Sequence, residues 1–520
     1  MNDFRITERR ASMPTDYDNI EDLAPLRADS LMGSVVILLA LTAAQRLVGF
    51  VRAVFFCRWL DAEQLGLWDM AFSFVLLAAP LAVLAIPGAF GRYLEYYRRK
   101  GQLSSFLRRS AVACAALGAA GCIAIALARR WVSLLVFGTD AHSNLVALAA
   151  GCLTAVIAYN FLVELCVAMR NIRLSAAMQL INSIAFAVLG LGLLLGWRNS
   201  AESVLLGYGG SCLLAALLAV FCLRKVYRES RRPAALMPKA ELWSKLAPFA
   251  AWVLTVNLMM NLFEVVDRYM IIHFAGVSAE GALDMVGNYH ASRVAPMLLV
   301  SVAAMLSTMI VPHLSYDWES GRREAVAFRL RLLIKIFGLG MFAAAAGIVV
   351  AAPLLFDFAF KGKYPAGSEV LPWTLVYCCW FGMLIIAKNY MYCAERAKLG
   401  SSALVIGLAL NVPLNLILLP RLGLHGAVLA TAAANALALW MVCLFNRRLG
   451  FHLDDGARLV MALPLVVCLG PCAAMLALTA VAVEAVWGTR LFSPEERRLM
   501  SERLDAYARQ FGLECLNVYR

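Results

Sequence analysis

Charged side chains are scarce in this chain of 520 residues. They account for 16% of the residues, whereas 62% are hydrophobic, and the mean hydropathy is +0.74. Soluble domains carry roughly 25% charged residues. The composition therefore excludes a typical soluble protein and predicts an all-α, polytopic membrane protein.

Motifs for hydrolytic, redox and metal chemistry are also missing. The sequence contains no Walker-type phosphate loop, so an internal ATPase is not expected. The 14 cysteines lie scattered through apolar segments without zinc or redox spacing, and we expect them to be reduced and buried. The six histidines, His290 among them, are isolated from cysteine and carboxylate partners at ligand spacing. We therefore expect that the protein is not an enzyme and binds no metal or cofactor. Coupling of transport to a proton or sodium gradient is the one role for an ion that we consider.

Twelve apolar runs are long enough to cross a bilayer, which takes about 20 residues per helix. They lie at 31–57, 66–90, 110–128, 143–168, 175–197, 203–223, 247–274, 286–312, 330–355, 370–393, 402–420 and 425–446. Residues 1–30 are polar and show no signal-peptide pattern, so the first run is expected to be retained as a span. A thirteenth run, 458–487, is interrupted at Gly470 and Pro471. We predict that it is a broken hairpin, giving 13 or 14 spans.

The longest basic loop separates the first six spans from the last six. It either contacts anionic lipid headgroups or is an ordinary linker, and the general rule favours the linker. Beyond the spans, Ser493 and Glu496 form a capping-box pattern that predicts an amphipathic helix. The predicted segments are a cytoplasmic N-terminal segment (1–30), an N-lobe (31–224), the loop (225–245), a C-lobe (246–447), an additional hydrophobic segment (448–488) and an amphipathic tail (489–520).

The distribution of lysine and arginine predicts the orientation. The loops after even-numbered spans hold 25 of these residues, and the odd-numbered loops hold 7. The positive-inside rule then places the N-terminus and the even loops in the cytoplasm, with the chain in the cytoplasmic (inner) membrane. The net charge of +13 is explained by this topology, so no nucleic-acid partner is expected.

Five cations lie within or beside predicted spans: Arg46, Arg52, Arg268, Arg293 and Lys388. A guanidinium at bilayer depth keeps its charge and is therefore expected to line a water-filled cavity. Arg46 and Arg52 are about 9 Å apart along a helix and about 120° apart around it. They do not share one narrow stripe, so Arg46 is the stronger candidate, and Arg52 could instead reach the outer rim by snorkelling.

Arg268 has a plainer interpretation, because Asp267 beside it or Glu264 one turn back could pair with it. The acidic and amide side chains of the spans are also candidates for a proton or sodium site that couples transport to an ion gradient. An interhelical hydrogen-bonded seam is the alternative, slightly favoured here because no second ligating helix is identifiable. This coupling set consists of Glu164, Asn257, Asn261, Glu264 and Asp267.

Several different short motifs follow one another along the chain, and their order carries a family resemblance. They are Arg46, Gly49 and Arg52 in span one, Gly66, Pro80 and Pro87 near span two, Asp267 and Arg268 in span seven, Gly287 at span eight, and Asn411, Pro413, Asn415, Pro420, Gly423 and Gly426 in spans eleven and twelve. Over residues 31 to 447 the sequence resembles the polysaccharide and oligosaccharide-lipid flippases of the multidrug/oligosaccharidyl-lipid/polysaccharide exporter superfamily.

The resemblance implies two six-helix lobes around a central cationic cavity that opens to each side in turn. It also implies a secondary transporter for polyprenyl-diphosphate-linked oligosaccharides, with membrane lipids and possible polymerase or glycosyltransferase partners. The Arg46, Gly49, Arg52 spacing resembles the peptidoglycan-precursor branch, where an acidic residue typically follows the second arginine. Here that residue is Ala53, which favours another saccharide. The alternatives are a multidrug-type exporter and a polytopic glycosyltransferase.

Overall fold

Helices make up all the regular structure in the part of the chain that this computed structural model describes, residues 31–229, 239–500 and 502. The helices are α1 Leu31–Trp59, α2 Ala62–Ala82, α3 Phe90–Arg99, α4 Leu103–Leu127, α5 Arg129–Phe137, α6 Ser143–Ala168, α7 Ile172–Gly196, α8 Ala201–Glu229, α9 Lys239–Phe274, α10 Ala279–Arg293, α11 Pro296–Glu319, α12 Arg323–Val350, α13 Pro365–Ala387, α14 Asn389–Cys393, α15 Ala397–Leu422, α16 Leu424–Arg448, α17 Asp455–Ala462 and α18 Pro471–Trp487.

Twelve of the described helical segments are long and apolar enough to cross a membrane, which confirms the all-α, polytopic prediction. Predicted span eight is divided, because α10 ends at Arg293 and α11 begins at Pro296. The residue boundaries of the two lobes remain a prediction. The predicted segment 1–30, and residues 230–238 of the basic loop, lie outside the described residues.

The second span is broken near its predicted cytoplasmic end. Pro80 lies inside α2 and lacks the N–H that would bond to the carbonyl of Leu76. After α2 the chain turns through Leu84 and Ala85, both in the left-handed region with φ of 51° and 48°, and a short 3₁₀ helix begins at Ile86. Left-handed backbone is unusual for residues with a Cβ. This break redirects the chain into α3.

The lobes are in direct contact at the predicted outer end of the molecule. Helix α2 crosses α10 so closely that a Cβ at Gly66 would overlap the carbonyl oxygen of Leu283. A Cβ at Gly287 would likewise overlap the carbonyl oxygen of Ala62. Nearby, the hydroxyl of Tyr364 donates to the carbonyl of Leu60 over 2.9 Å. The two glycines therefore permit backbone-to-backbone packing that closes this end.

The C-terminal hydrophobic segment forms a hairpin. Helix α17 continues into a 3₁₀ stretch, the chain bends at Gly470 with φ of 102°, and α18 runs back. Lys335 of α12, which is fully buried, contacts both Asp454 before the hairpin and Glu496 after it, the latter at 2.7 Å. Both ends of the segment therefore lie at the same end of the molecule, as the hairpin prediction required.

The predicted capping box is present after this hairpin. The Glu496 carboxylate accepts from the Ser493 backbone N–H over 2.8 Å, and Ser493 Oγ accepts from the Glu496 N–H. Residues 494–500 are helical. The remainder of the predicted amphipathic tail falls outside the described residues, except position 502, and its side of the membrane remains a prediction.

We predict that Lys335→Met unfolds at a clearly lower temperature than the wild type. The substitution leaves the Glu496 carboxylate, which is 2% exposed, without its cation, and an uncompensated buried charge costs about 3–5 kcal/mol. Thermal unfolding of the purified protein in detergent measures the effect. The double variant Lys335→Met with Glu496→Gln retains a capping side chain and should recover part of the loss. An unchanged unfolding temperature in the single variant would contradict the clamp.

Candidate functional site: a cationic cavity between the lobes

A cavity of about 360 Å³ lies where helices of the two lobes meet. Its walls come from α1, α2, α7 and α8 on one side and from α9, α10 and α11 on the other. The ionisable side chains that line it are Arg46, Arg52, Asp69, Glu264, Arg268, His290 and Arg293. Four of the five predicted cations are therefore brought together.

Both arginines of α1 reach this cavity. The guanidinium of Arg52 lies 4.0 Å from the centre of the Phe186 ring, a cation–π contact, and points back towards Gly49. Arg46 is exposed to the cavity one to two turns earlier. Both therefore face the cavity, whereas the sequence favoured Arg46 and left Arg52 a place at the outer rim as the alternative. The two positions are about 120° apart around the helix. Helical side chains lean towards the N-terminus, and the arginine side chain is long enough to reach the cavity from either position.

An aromatic wall holds Arg52 in place. Phe186 of α7 packs against Trp68 of α2 and Tyr208 of α8, with ring centroids 5.6 and 5.2 Å away. All three rings line the cavity. Because the rings pack against one another, the guanidinium rests on a surface with little freedom to move.

Arg268 pairs with a carboxylate from the other lobe. Its Nε lies 2.7 Å from Asp69 Oδ2, and its Nη1 donates to Ser73 Oγ over 3.0 Å. The expected pairing with Asp267 or Glu264 is therefore wrong. Adjacent positions on α9 differ by about 100° in direction, so Arg268 faces α2 while Asp267 faces elsewhere.

His290 belongs to the same group, which corrects the expectation that it stands alone. Its Nδ1 lies 3.0 Å from Asp69 Oδ1. Asp69, only 2% exposed, is thus held between a guanidinium from α9 and an imidazole from α10. Sequence reasoning missed Asp69, although it is a lone carboxylate in an apolar span, the same signal that selected the arginines.

Arg293 is the most available guanidinium in the buried part of the cavity. It is 9% exposed, sits 5.3 Å from the Tyr289 ring centre, and directs Nη2 towards Met297 Sδ. Its Nε has no hydrogen-bond partner in the described part of the chain. A buried charged donor without a partner is costly, so this side chain is suited to an anionic ligand.

Lys388 does not join the cavity. It lies at the end of α13, with Nζ 5.8 Å from the ring of Tyr392. This position is at the predicted cytoplasmic end of the span. The sequence predicted that Lys388 lies near the end of a span, but it did not predict the direction of the side chain.

The predicted coupling residues separate into three places, and Glu264 faces the main cavity. Asp267 is 3% exposed and accepts hydrogen bonds from Asn411 (2.9 Å), Asn415 (3.3 Å) and the Tyr289 hydroxyl (3.2 Å). It therefore forms a polar seam between α9, α10 and α15. The second helix that the sequence did not reveal for Asp267 is α15.

A second cavity of about 290 Å³ contains Glu164, Asn257 and Asn261, together with Asn160. It lies beside the break in α2. The Asn261 amide donates to the Leu76 carbonyl over 3.4 Å, the carbonyl that Pro80 leaves without a helical partner. Helix α6, which carries Asn160 and Glu164, is therefore the second polar helix that faces Asn257 and Asn261 of α9.

We predict that Asp69 and Arg268 are strongly coupled in stability. Asp69→Asn leaves a buried guanidinium unpaired and should cost about 3–5 kcal/mol. A double-mutant cycle with Arg268→Gln, read by thermal unfolding, should show a coupling energy of at least about 1 kcal/mol. Additive effects would contradict a direct pair between the lobes.

These features define a polytopic membrane protein with two helical lobes and a cationic cavity between them. The model of the polysaccharide biosynthesis protein family matches residues 31–316, and the chain belongs to this family. The chain is similar to the lipid II flippase MurJ of Bacillus subtilis (strain 168), at 19% identity over 455 residues, covering 81% of this chain and 83% of that protein. It also matches UPF0761 membrane proteins of Vibrio cholerae at 27% identity over 154 residues, 28% of this chain; this match spans only about half (52%) of those relatives.

Solved structures show the same fold. The chain resembles a lipid II flippase MurJ in an inward closed conformation, with a TM-score of 0.64, 14% identity, and coverage of 87% of this chain and 99% of that one. An inward-facing multidrug resistance MATE family transporter of the MOP superfamily gives a TM-score of 0.61 at 14% identity, with 80% and 97% coverage. These structures confirm the predicted fold, and the match to the polysaccharide biosynthesis protein family supports the predicted family resemblance.

Proposed function

We propose that the protein is a flippase that moves a polyprenyl-diphosphate-linked oligosaccharide across the cytoplasmic membrane by alternating access. The observation that carries this proposal is the charge of the cavity. Four arginines face two carboxylates, Asp69 and Glu264, which leaves two positive charges in excess when His290 is neutral. A diphosphate supplies matching negative charge, and guanidinium groups bind phosphate oxygens with two parallel hydrogen bonds.

The arginines divide into two roles in this proposal. Arg268 is already neutralised by Asp69 and ties α9 to α2. Arg46, Arg52 and Arg293 have no carboxylate within ion-pair distance among the described residues and are free for the substrate. Binding there places the diphosphate between the lobes, while the prenyl chain can remain in lipid.

The contacts between lobes support rocking as the transport motion. The Gly66 and Gly287 contacts close the predicted outer end, whereas the cavity remains accessible between the lobes. Rotation of the lobes about the cavity would separate these contacts and open the outer side, as in transporters built from two repeats.

A multidrug-type exporter with the same fold is the second candidate, and its support is the MATE-like architecture. An exporter of organic cations is not favoured, because the excess positive charge in this cavity repels them. The cavity charge therefore favours an anionic, lipid-linked substrate. Polysaccharide polymerase and glycosyltransferases are the partners that this role implies, and gene neighbours of those kinds would support it.

The proposed role is tested in cells. Deletion of the gene should make lipid-linked sugar accumulate on the inner leaflet, and Arg46→Ala at normal protein level should do the same. Complementation with the wild-type gene is the control. Normal sugar export in the deletion strain would refute the function.

We further propose that the Asp267 seam is the place where a coupling cation acts, because a buried carboxylate suits a proton or a hard cation. Asp267→Asn is expected to remove the dependence of transport on a sodium or proton gradient. Glu264→Gln is the matched control: it lines the substrate cavity, so it should change substrate affinity and leave ion dependence intact. Transport by Asp267→Asn that still follows the gradient would count against the seam.

A further inference from the structure

A separate groove lies on the flank of the C-terminal half, away from the cavity between the lobes. Its volume is about 710 Å³, and none of its lining residues lines that cavity. It runs between α13, α16 and the first part of the hairpin. The apolar residues that shape it include Trp380, Leu439, Trp440, Leu444, Met461 and Leu465.

Exposed apolar side chains indicate that the groove opens towards lipid. Trp440 lies on a candidate membrane span and is 60% exposed, and Leu465 is 42% exposed. Within the groove, Trp380 Nε1 donates to the Met461 carbonyl over 2.8 Å and so fastens α13 to the hairpin. An apolar groove at this depth is filled by hydrocarbon and not by water.

One end of the groove is cationic. Arg447, His452 and Arg458 line it where α16 ends and the hairpin begins, at the predicted cytoplasmic side. Arg458 forms an ion pair with Asp455 at 2.9 Å, whereas Arg447 forms no ion pair with any residue that the structure describes. Basic pockets between membrane helices on the cytoplasmic side suit anionic lipid headgroups.

We propose that this groove binds one anionic phospholipid of the cytoplasmic leaflet. An acyl chain lies along Trp440 and Leu465, and the phosphate binds the guanidinium groups of Arg447 and Arg458. The lipid fills the space between α16 and the hairpin. It thereby supports the hairpin from α13 and α16, whereas the Lys335 clamp holds it from α12. This site is independent of the flippase proposal.

The test measures lipid binding to the full-length protein purified in detergent. Native mass spectrometry and thermal unfolding are recorded with added phosphatidylglycerol, phosphatidylcholine or a polyprenyl phosphate. The wild type should retain and be stabilised by phosphatidylglycerol in preference to phosphatidylcholine. In the double variant Arg447→Gln with Arg458→Gln, the affinity for phosphatidylglycerol should fall at least about 10-fold, equivalent to about 1.4 kcal/mol.

Two further variants keep the test decisive. Arg448→Gln removes the same charge from the adjacent position, which is exposed and does not line the groove, and it should bind like the wild type. Ala436→Phe places a ring in the groove without a change of charge and should also weaken retention. Equal loss in Arg448→Gln, or unchanged binding in the double variant and in Ala436→Phe, would overturn the site. Preference for the polyprenyl phosphate over phosphatidylglycerol would overturn the assignment to a phospholipid.

Discussion

Arg293→Gln is expected to lower transport of the lipid-linked sugar by about 10- to 100-fold at normal protein level. The guanidinium is buried, lines the cavity and has a donor without a partner in the described residues. A hydrogen bond to a charged group contributes about 1.5–3 kcal/mol, and glutamine keeps a polar amide while it removes the charge. The loss should therefore appear in substrate affinity and in transport rate together.

Lys388→Gln is the matched control for this prediction. Lys388 is also a cation associated with a span, but it lies near Tyr392 and outside the cavity. Transport by this variant should remain within about twofold of the wild type, since Lys388 is only half-buried and forms no ion pair among the described residues. Sugar accumulation on the inner leaflet reports both variants. Equal transport defects in the two variants would show that loss of any intramembrane cation lowers transport. That result would contradict a specific role for Arg293.

Gly287→Ala is expected to hold the outer end open and to reduce transport at least about 10-fold. A Cβ at this position would overlap the Ala62 carbonyl oxygen of the other lobe, and backbone has no rotamer by which to move away. Overpacking of this kind costs about 1–3 kcal/mol. The penalty applies only when α2 and α10 are in contact, so the equilibrium shifts towards the outward-open state.

The shift is measured with a cysteine at Ser301, which lines the cavity, and a membrane-impermeant thiol reagent added from outside. Labelling should rise in Gly287→Ala relative to the Ser301→Cys background. Gly347→Ala is the control, because a Cβ there meets no heavy atom within 4 Å, and its labelling should match that background. Similar labelling in all three proteins would contradict an outer closure made by these glycines.

The spans were predictable because hydrophobic length is a local property that each segment carries by itself. Arg46 and Arg52 were predictable as cavity residues for a related reason: a permanent charge in an apolar run requires a wet environment wherever the neighbours lie. Lys388 shows the limit of that rule. Near the end of a span, a lysine reaches the interface without a cavity.

Contacts between the lobes could not be predicted from sequence. Arg268 bonds to Ser73, 195 positions away, and Asp69 beside it comes from the same distant helix. Local spacing offered Asp267 and Glu264 as partners instead. Gly66 and Gly287 were visible as motif residues of spans two and eight, but the sequence did not show that they pack near each other across the molecule.

Translocation by the purified protein in liposomes measures flippase activity without other cell components. A polyprenyl-diphosphate-linked oligosaccharide is incorporated in both leaflets, and its accessibility to an external sugar-modifying enzyme is followed over time. We expect the wild type to accelerate exchange between leaflets, and Arg46→Ala and Arg293→Gln, folded to the same extent, not to do so. An unchanged exchange rate with folded wild-type protein under an imposed ion gradient, or full activity of both arginine variants, would contradict a flippase with a diphosphate site in this cavity.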